Sequence, residues 1–187
     1  MSGRATAILI AIAAFTSSAA AAQAAPNLCE REMSRAAKSY DVPLGVLYAV
    51  GLTETGRKGS LQPYALNVEG KAEFGTSRDD AIRRFEKARF AGRKLIDLGC
   101  MQINHHYHSS HFASIEDMLD PRQNVDYAAR FLKQLKTKEG SWTMAVARYH
   151  AGPNNNPAQK RYVCAVIVNM VATGFGTWTP EARNFCR

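Results

Sequence analysis

Apolar residues recur along most of this chain at helical spacing. Cys29, Met33, Ala36, Ala37 and Tyr40 fall at i, i+4, i+7, i+8 and i+11, one face of a helix. Asp41-Val42-Pro43 breaks that pattern, and Pro43 suits the first position of a second helix. The second helix carries Leu44, Leu47, Tyr48 and Gly51, with Val50 alongside, and ends near Gly56. From Gly59 to Asn104 the period changes. Tyr64 to Val68, the pair Glu69-Gly70, and Lys71 to Phe74 predict a β-hairpin. Ser77 with Asp80 three residues on resembles a capping box, opening a basic helix that runs to about Phe90. Leu95 to Asn104 reads as a strand or extended segment.

Helical spacing then returns. Asp120-Pro121 caps a stripe of Val125, Ala128, Ala129, Leu132 and Leu135 that stops at Gly140. Ser141 caps the next helix, through Trp142, Ala145 and Tyr149 to Gly152. Asn154 to Pro157 predicts a loop, Arg161 to Val171 a strongly apolar helix, and residues 173–187 a short tail. The expected fold is mostly α, an α+β helical domain with a small hairpin-containing lobe inserted after its second helix.

The N-terminus reads as an address. Arg4 precedes the apolar run Ala5 to Phe15, and Ala22-Gln23-Ala24 fits a small-x-small cleavage site. An apolar core of 11 residues is short for a bilayer of ~30 Å, so residues 1–24 are expected to be a removed signal peptide with no transmembrane segment left behind. The domain then occupies residues 25–172. With Arg4 gone, 23 basic and 16 acidic residues remain, a net +7. That excess favours an anionic partner, and 187 residues exclude a multidomain machine or a polytopic membrane protein. All four cysteines, Cys29, Cys100, Cys164 and Cys186, lie in the mature part. An even count in an exported chain suggests two bridges with three connectivities. No C-x-x-C pair supports a zinc or redox site.

Glu54 is the most informative residue. Gly51, Val50 and Leu47 precede it by 3, 4 and 7, so it continues the apolar side of its helix. It also sits at the helix C-terminus, where negative charge is disfavoured. Desolvation and the helix end both raise a carboxyl pKa, which suits a general acid. The competing readings are a surface Glu whose helix has already frayed, or one paired with Arg57.

Three segments follow in order: Leu52-Thr53-Glu54-Thr55-Gly56-Arg57, then Gly99-Cys100-Met101-Gln102-Ile103-Asn104, then Ala147-Arg148-Tyr149-His150-Ala151-Gly152-Pro153. Together they resemble the soluble lytic transglycosylase (SLT) domain, a relative of goose-type lysozyme, over roughly Cys29 to Val171. The resemblance implies a lysozyme-like fold and Glu54 as the catalytic acid/base. It implies substrate contacts from Thr55, in place of the usual Ser, from Met101, Gln102 and Asn104, and from Tyr149, whose hydroxyl would point at the acid. His150, also implied as a contact, replaces a common Asn, Arg148 a common Ala and Cys100 a common Leu. Asn67 is either an extra sugar contact or an ordinary hairpin Asn.

The resemblance further implies cleavage of peptidoglycan glycan strands in the periplasm, with no cofactor. Glu54 would protonate the glycosidic oxygen, and the muramyl 6-hydroxyl would then attack to form a 1,6-anhydro end. No second carboxylate belongs to a recognised motif, although Asp97 lies close to the cleft strand; two-carboxylate hydrolysis is the rival. A catalytically idle wall-binding factor for an envelope-spanning secretion or motility apparatus is another. Cys29–Cys100 is the preferred first bridge, since Cys100 replaces a buried Leu of the family. Cys164–Cys186 would tie down the tail by closing a loop of ~22 residues, worth on the order of 3 kcal/mol. The histidines between His105 and His111 read as structural rather than metal ligands. The basic run Arg83, Arg84, Lys87, Arg89, Arg93 and Lys94 reads as a solvated face, not a nucleic-acid grip. Tyr162 is either near the cleft or core.

Overall fold

The computed structural model describes residues 27–57, 59–152 and 154–187. The expected leader, residues 1–24, lies outside them. Helix α1, Leu28–Tyr40, starts at a capping box in which Asn27 and Glu30 satisfy each other's backbone, and it ends at Asp41 in the left-handed region (φ 52°). Helix α2, Leu44–Thr55, buries Gly45, Val46, Leu47, Ala49, Val50, Gly51 and Thr55, so it is enclosed almost all round. Pro43 is its N-cap rather than its first residue, and the Pro43 carbonyl accepts from Val46 and Leu47. Gly51 permits the close approach of α1: a β-carbon there would stand 2.4 Å from the end of Met33.

Strands β1 (Ala65–Val68) and β2 (Lys71–Phe74) form the expected hairpin. Helix α3 is Arg78–Phe90. Ser77 accepts from the Asp80 amide, but Asp80 answers to the Thr76 amide, one residue earlier than a capping box requires. The segment expected to be one extended stretch is two short strands, β3 (Ile96–Leu98) and β4 (Ile103–Asn104), joined by a turn. The antiparallel sheet runs β2-β1-β3-β4. The chain continues through α4 (His105–His108), a 3-10 turn (Ser109–His111) and α5 (Ile115–Leu119), which the sequence pattern does not reveal. Helices α6 (Pro121–Glu139) and α7 (Trp142–Ala151) follow. Helix α8, Asn156–Ala172, begins inside the expected loop, with Asn155 as its cap and Pro157 in its first turn. The tail contains a further short helix, α9 (Pro180–Phe185).

The architecture is therefore mostly α with a small β part. α1 packs on α6, α2 on α8, and α7 on both α6 and α8. One core joins α1 and α2 to the inner face of the sheet and to α6 and α8, with buried members running from Cys29 to Val166. Disulfides link Cys29 to Cys100 and Cys164 to Cys186, the pairing preferred from the sequence. The first staples α1 to the turn between β3 and β4. The second holds the tail on α8. No helix among the described residues is long and apolar enough to cross a membrane.

The β3–β4 turn is also held by one side chain. Asn124, fully buried on α6, donates to the carbonyls of Leu98 (2.9 Å) and Met118 (2.8 Å) and accepts from the Met101 amide (2.9 Å). Gly99 lies against it with φ 76°, and a β-carbon there would stand 2.6 Å from the Asn124 amide nitrogen. The position tolerates only glycine, by conformation and by space. Asn124→Ala leaves three backbone groups without partners, which costs at least ~3 kcal/mol. Thermal melting should show a fall of ~6 °C or more; an unchanged melting temperature would refute the clamp.

Candidate active site

Glu54 occupies the last turn of α2, and the residues on either side of it are tied down. The Thr53 hydroxyl donates to the Ala49 carbonyl (2.7 Å) and accepts from the Asn169 side chain on α8 (2.9 Å). The Thr55 hydroxyl lies near the carbonyls of Gly51 (3.1 Å) and Cys100 (3.4 Å) and the Gln62 amide (3.4 Å). Thr55 is only 4% exposed. The resemblance implies a sugar contact for it; in the structure its hydroxyl is engaged with protein and ties the helix end to the β3–β4 turn.

The Glu54 carboxyl meets Tyr162 of α8, whose hydroxyl donates to Oε1 at 2.5 Å. Burial drives the Glu54 pKa up to about 8; the Tyr162 hydrogen bond opposes the rise by favouring the carboxylate, and the negative charge of Asp97 adds to it. Tyr162 is itself 5% exposed. Burial and the Glu54 charge hold its phenol well above the ordinary range, so it remains a donor. His150 stacks flat on the Tyr162 ring, 4.1 Å between centroids and 4° between planes. Burial, then the charge of Arg161, lowers the His150 pKa and favours the neutral imidazole.

Tyr149 does not make the contact expected of it. Its hydroxyl donates to the Met101 carbonyl at 2.8 Å, and the hydrogen bond to the acid belongs to Tyr162. Burial raises the Tyr149 pKa, and the charges of Glu54 and Asp97 add to the rise. Met101 is fully buried beneath the site and offers no surface to a ligand. Gln102 adopts φ 47°, and its amide nitrogen donates to the carbonyls of Ala65 and Gly99, both at 3.1 Å, bracing the turn.

The register of the sheet aligns a further set of polar residues. Asn67 pairs with Asp97, and Asp97 with Asn104. Directly opposed residues share a face, so these three polar side chains form a row across β1, β3 and β4. Their neighbours Leu66, Leu98 and Ile103 are buried on the other face. Asn104 donates to Asp97 at 2.6 Å and accepts from the His106 amide at 3.0 Å. Burial raises the Asp97 pKa, against the Asn104 hydrogen bond. The Asn67 side-chain oxygen accepts from the Gly70 amide at 2.7 Å, the ordinary hairpin role.

The histidine-rich stretch is absorbed by aromatic packing. His105 lies on Phe85, His108 shares a hydrogen bond of 2.8 Å with Tyr127, and His111 lies against the same Tyr127. Among the described residues, no group of three His, Cys, Asp or Glu is placed to hold a metal ion. Two residues that matter are not assigned by the sequence. Asn124 has a signal, since it stands four residues before Ala128 on the apolar stripe of α6. Tyr162 has only its nearness to the cleft segment.

The arrangement supplies a carboxylic acid whose raised pKa favours the protonated form at neutral pH, a phenol that fixes one of its oxygens, and a second carboxylate near enough for its charge to act on the first. Compared with known families, residues 32–166 match the transglycosylase SLT domain. No solved structure matches the chain.

Glu54 must also shape stability. Its pKa rises from 4.5 to about 8 on folding, so between those values the folded state holds a proton that the unfolded state has lost. The stabilisation is complete below the unfolded value and disappears as pH rises through the folded one. Glu54→Gln should remove this slope, becoming more stable relative to wild type by on the order of 4 kcal/mol between pH ~4 and ~8. Denaturant unfolding at the two pH values measures it; parallel pH dependence in both proteins would refute the shifted pKa.

Proposed function

The chain belongs to the transglycosylase SLT family, and on that premise we propose that it is a peptidoglycan lytic transglycosylase. It cleaves the β-1,4 bond between N-acetylmuramic acid and N-acetylglucosamine and leaves 1,6-anhydro-muramyl ends. The observation that carries this reading is the protonated Glu54 on Tyr162 at the end of a buried helix. The domain that acts is residues 25–172, with residues 173–187 as a stapled tail. Residues 1–24 direct export to the periplasm and are removed; two disulfides suit that compartment.

The chemistry needs Glu54 twice. Tyr162 occupies Oε1, so the acidic proton sits on Oε2. Glu54 gives that proton to the glycosidic oxygen as the bond to the anomeric carbon breaks. The substrate's own N-acetyl group steadies the positive charge left on that carbon. Glu54, now a carboxylate held by the Tyr162 hydrogen bond, takes the proton from the 6-hydroxyl, whose oxygen closes on the anomeric carbon. Glu54 is restored as the acid, and no water is consumed.

Asp97 favours one second reading. Its charge reaches Glu54, and Asn104 holds it in place. In a hydrolytic muramidase of the same fold it would act on water or on the anomeric carbon.

Digestion of purified sacculi distinguishes the two. Mass spectrometry is expected to find muropeptides one water lighter than hydrolysis products, and Glu54→Gln is expected to lower their release by at least ~10³-fold. Reducing-end products that vanish in Asp97→Asn would establish the muramidase instead.

A further inference from the structure

The face formed by α3 and its following turn plays no part in the chemistry above. Its sequence from Arg83 to Lys94 holds six basic residues and one acidic. Phe90, at the helix end, is 97% exposed, and Leu95 just beyond is 44% exposed. An exposed aromatic alone is unremarkable on a protein surface; this one is flanked in the sequence by Lys87 and Arg89 before it and by Arg93 and Lys94 after it. Lys87, Arg89 and Lys94 have no acidic side-chain ion pair among the described residues, whereas Arg93 pairs with Glu69 and Arg84 with Asp80 and Glu73. Nearby, Lys71, Arg84, Lys87 and Arg93, with Glu69 and Glu73 among them, rim a shallow groove between α3 and the hairpin, backed by Val68 and Ala88; four cations against two carboxylates leave it net positive.

We propose that this face docks the protein on an anionic phospholipid surface, with lipid phosphates against Lys87, Arg89 and Lys94 and the Phe90 ring inserted at the headgroup–acyl boundary. Charge complementarity selects the partner. Each lysine or arginine near an anionic leaflet strengthens binding about fivefold, and an aromatic ring among such cations is the pattern of an interfacial anchor. A protein partner fits less well, because one phenylalanine and one leucine cannot form the apolar centre of an interface of the usual ~1,600 Å². The docking stands apart from Glu54, so it and the cleavage chemistry can fail independently.

Residues 25–187 contain the entire described core and serve for the test. The protein is sedimented with vesicles of pure phosphatidylcholine, or of phosphatidylcholine mixed equally with phosphatidylglycerol, at low and high salt. Binding is expected to the anionic vesicles only and to weaken with salt. Phe90→Ser should weaken it about tenfold, and the triple change Lys87→Gln, Arg89→Gln, Lys94→Gln about a hundredfold. Both variants should digest sacculi, or bind them, as wild type does, which establishes that they are folded. In a Phe90→Trp variant, brominated lipid should quench fluorescence beyond the quenching of the native tryptophans. Equal binding to both vesicle types, no vesicle binding, unchanged binding by Phe90→Ser, or no added quenching in Phe90→Trp would each overturn the proposal. Loss of sacculus binding in the triple variant, without vesicle binding by wild type, would assign the face to the wall.

Discussion

A carboxyl group at the end of an apolar helix is the constraint on which the rest of the site depends. Helix α2 has no polar side to turn toward water, and Glu54 stands in its last turn. Burial and the neighbouring Asp97 both favour the protonated acid there. The Tyr162 hydrogen bond works the other way. It keeps the carboxylate accessible, which an acid that must also serve as a base requires.

The small lobe has to stay registered against this helix. Three independent ties converge on the β3–β4 turn: the Cys29–Cys100 disulfide, the Asn124 clamp and the Thr55 contact to the Cys100 carbonyl. Tyr149 adds a fourth through the Met101 carbonyl. The turn is thereby fixed to α1, α2, α6 and α7. Asp97 rides on the strand entering it, so the same ties set the distance between the two carboxylates. Thr55 and Gln102, two of the residues expected to bind sugar, contribute hydrogen bonds to this bracing.

Long elements with a clean period were legible. Helices α1, α2, α6 and α7 and the hairpin carried caps, stripes or turn residues that local physics dictates. The short helices α4, α5 and α9 were not legible, because four to six residues show no period. Glu54 stood out because it continues an apolar face. Its partner did not: Tyr162 lies 108 residues away, and nothing local distinguishes a core tyrosine from one aimed at an acid. The motif pointed to Tyr149, which lies close enough to feel the Glu54 charge but donates its hydrogen bond to a backbone carbonyl. Asp97 was visible as a residue, but its place in the Asn67–Asp97–Asn104 row exists only once the sheet register is set.

The central claim is that the fold holds Glu54 protonated at neutral pH and that Tyr162 moderates the shift. Carbon-13 NMR of the Glu54 side-chain carboxyl, followed from acid to alkaline pH, reads this directly. The account predicts a midpoint of about 8 in the wild-type protein and a higher one in Tyr162→Phe, since the lost hydrogen bond favoured the charged form. A midpoint at the ordinary carboxyl value of 4.5, unmoved by Tyr162→Phe, would contradict it.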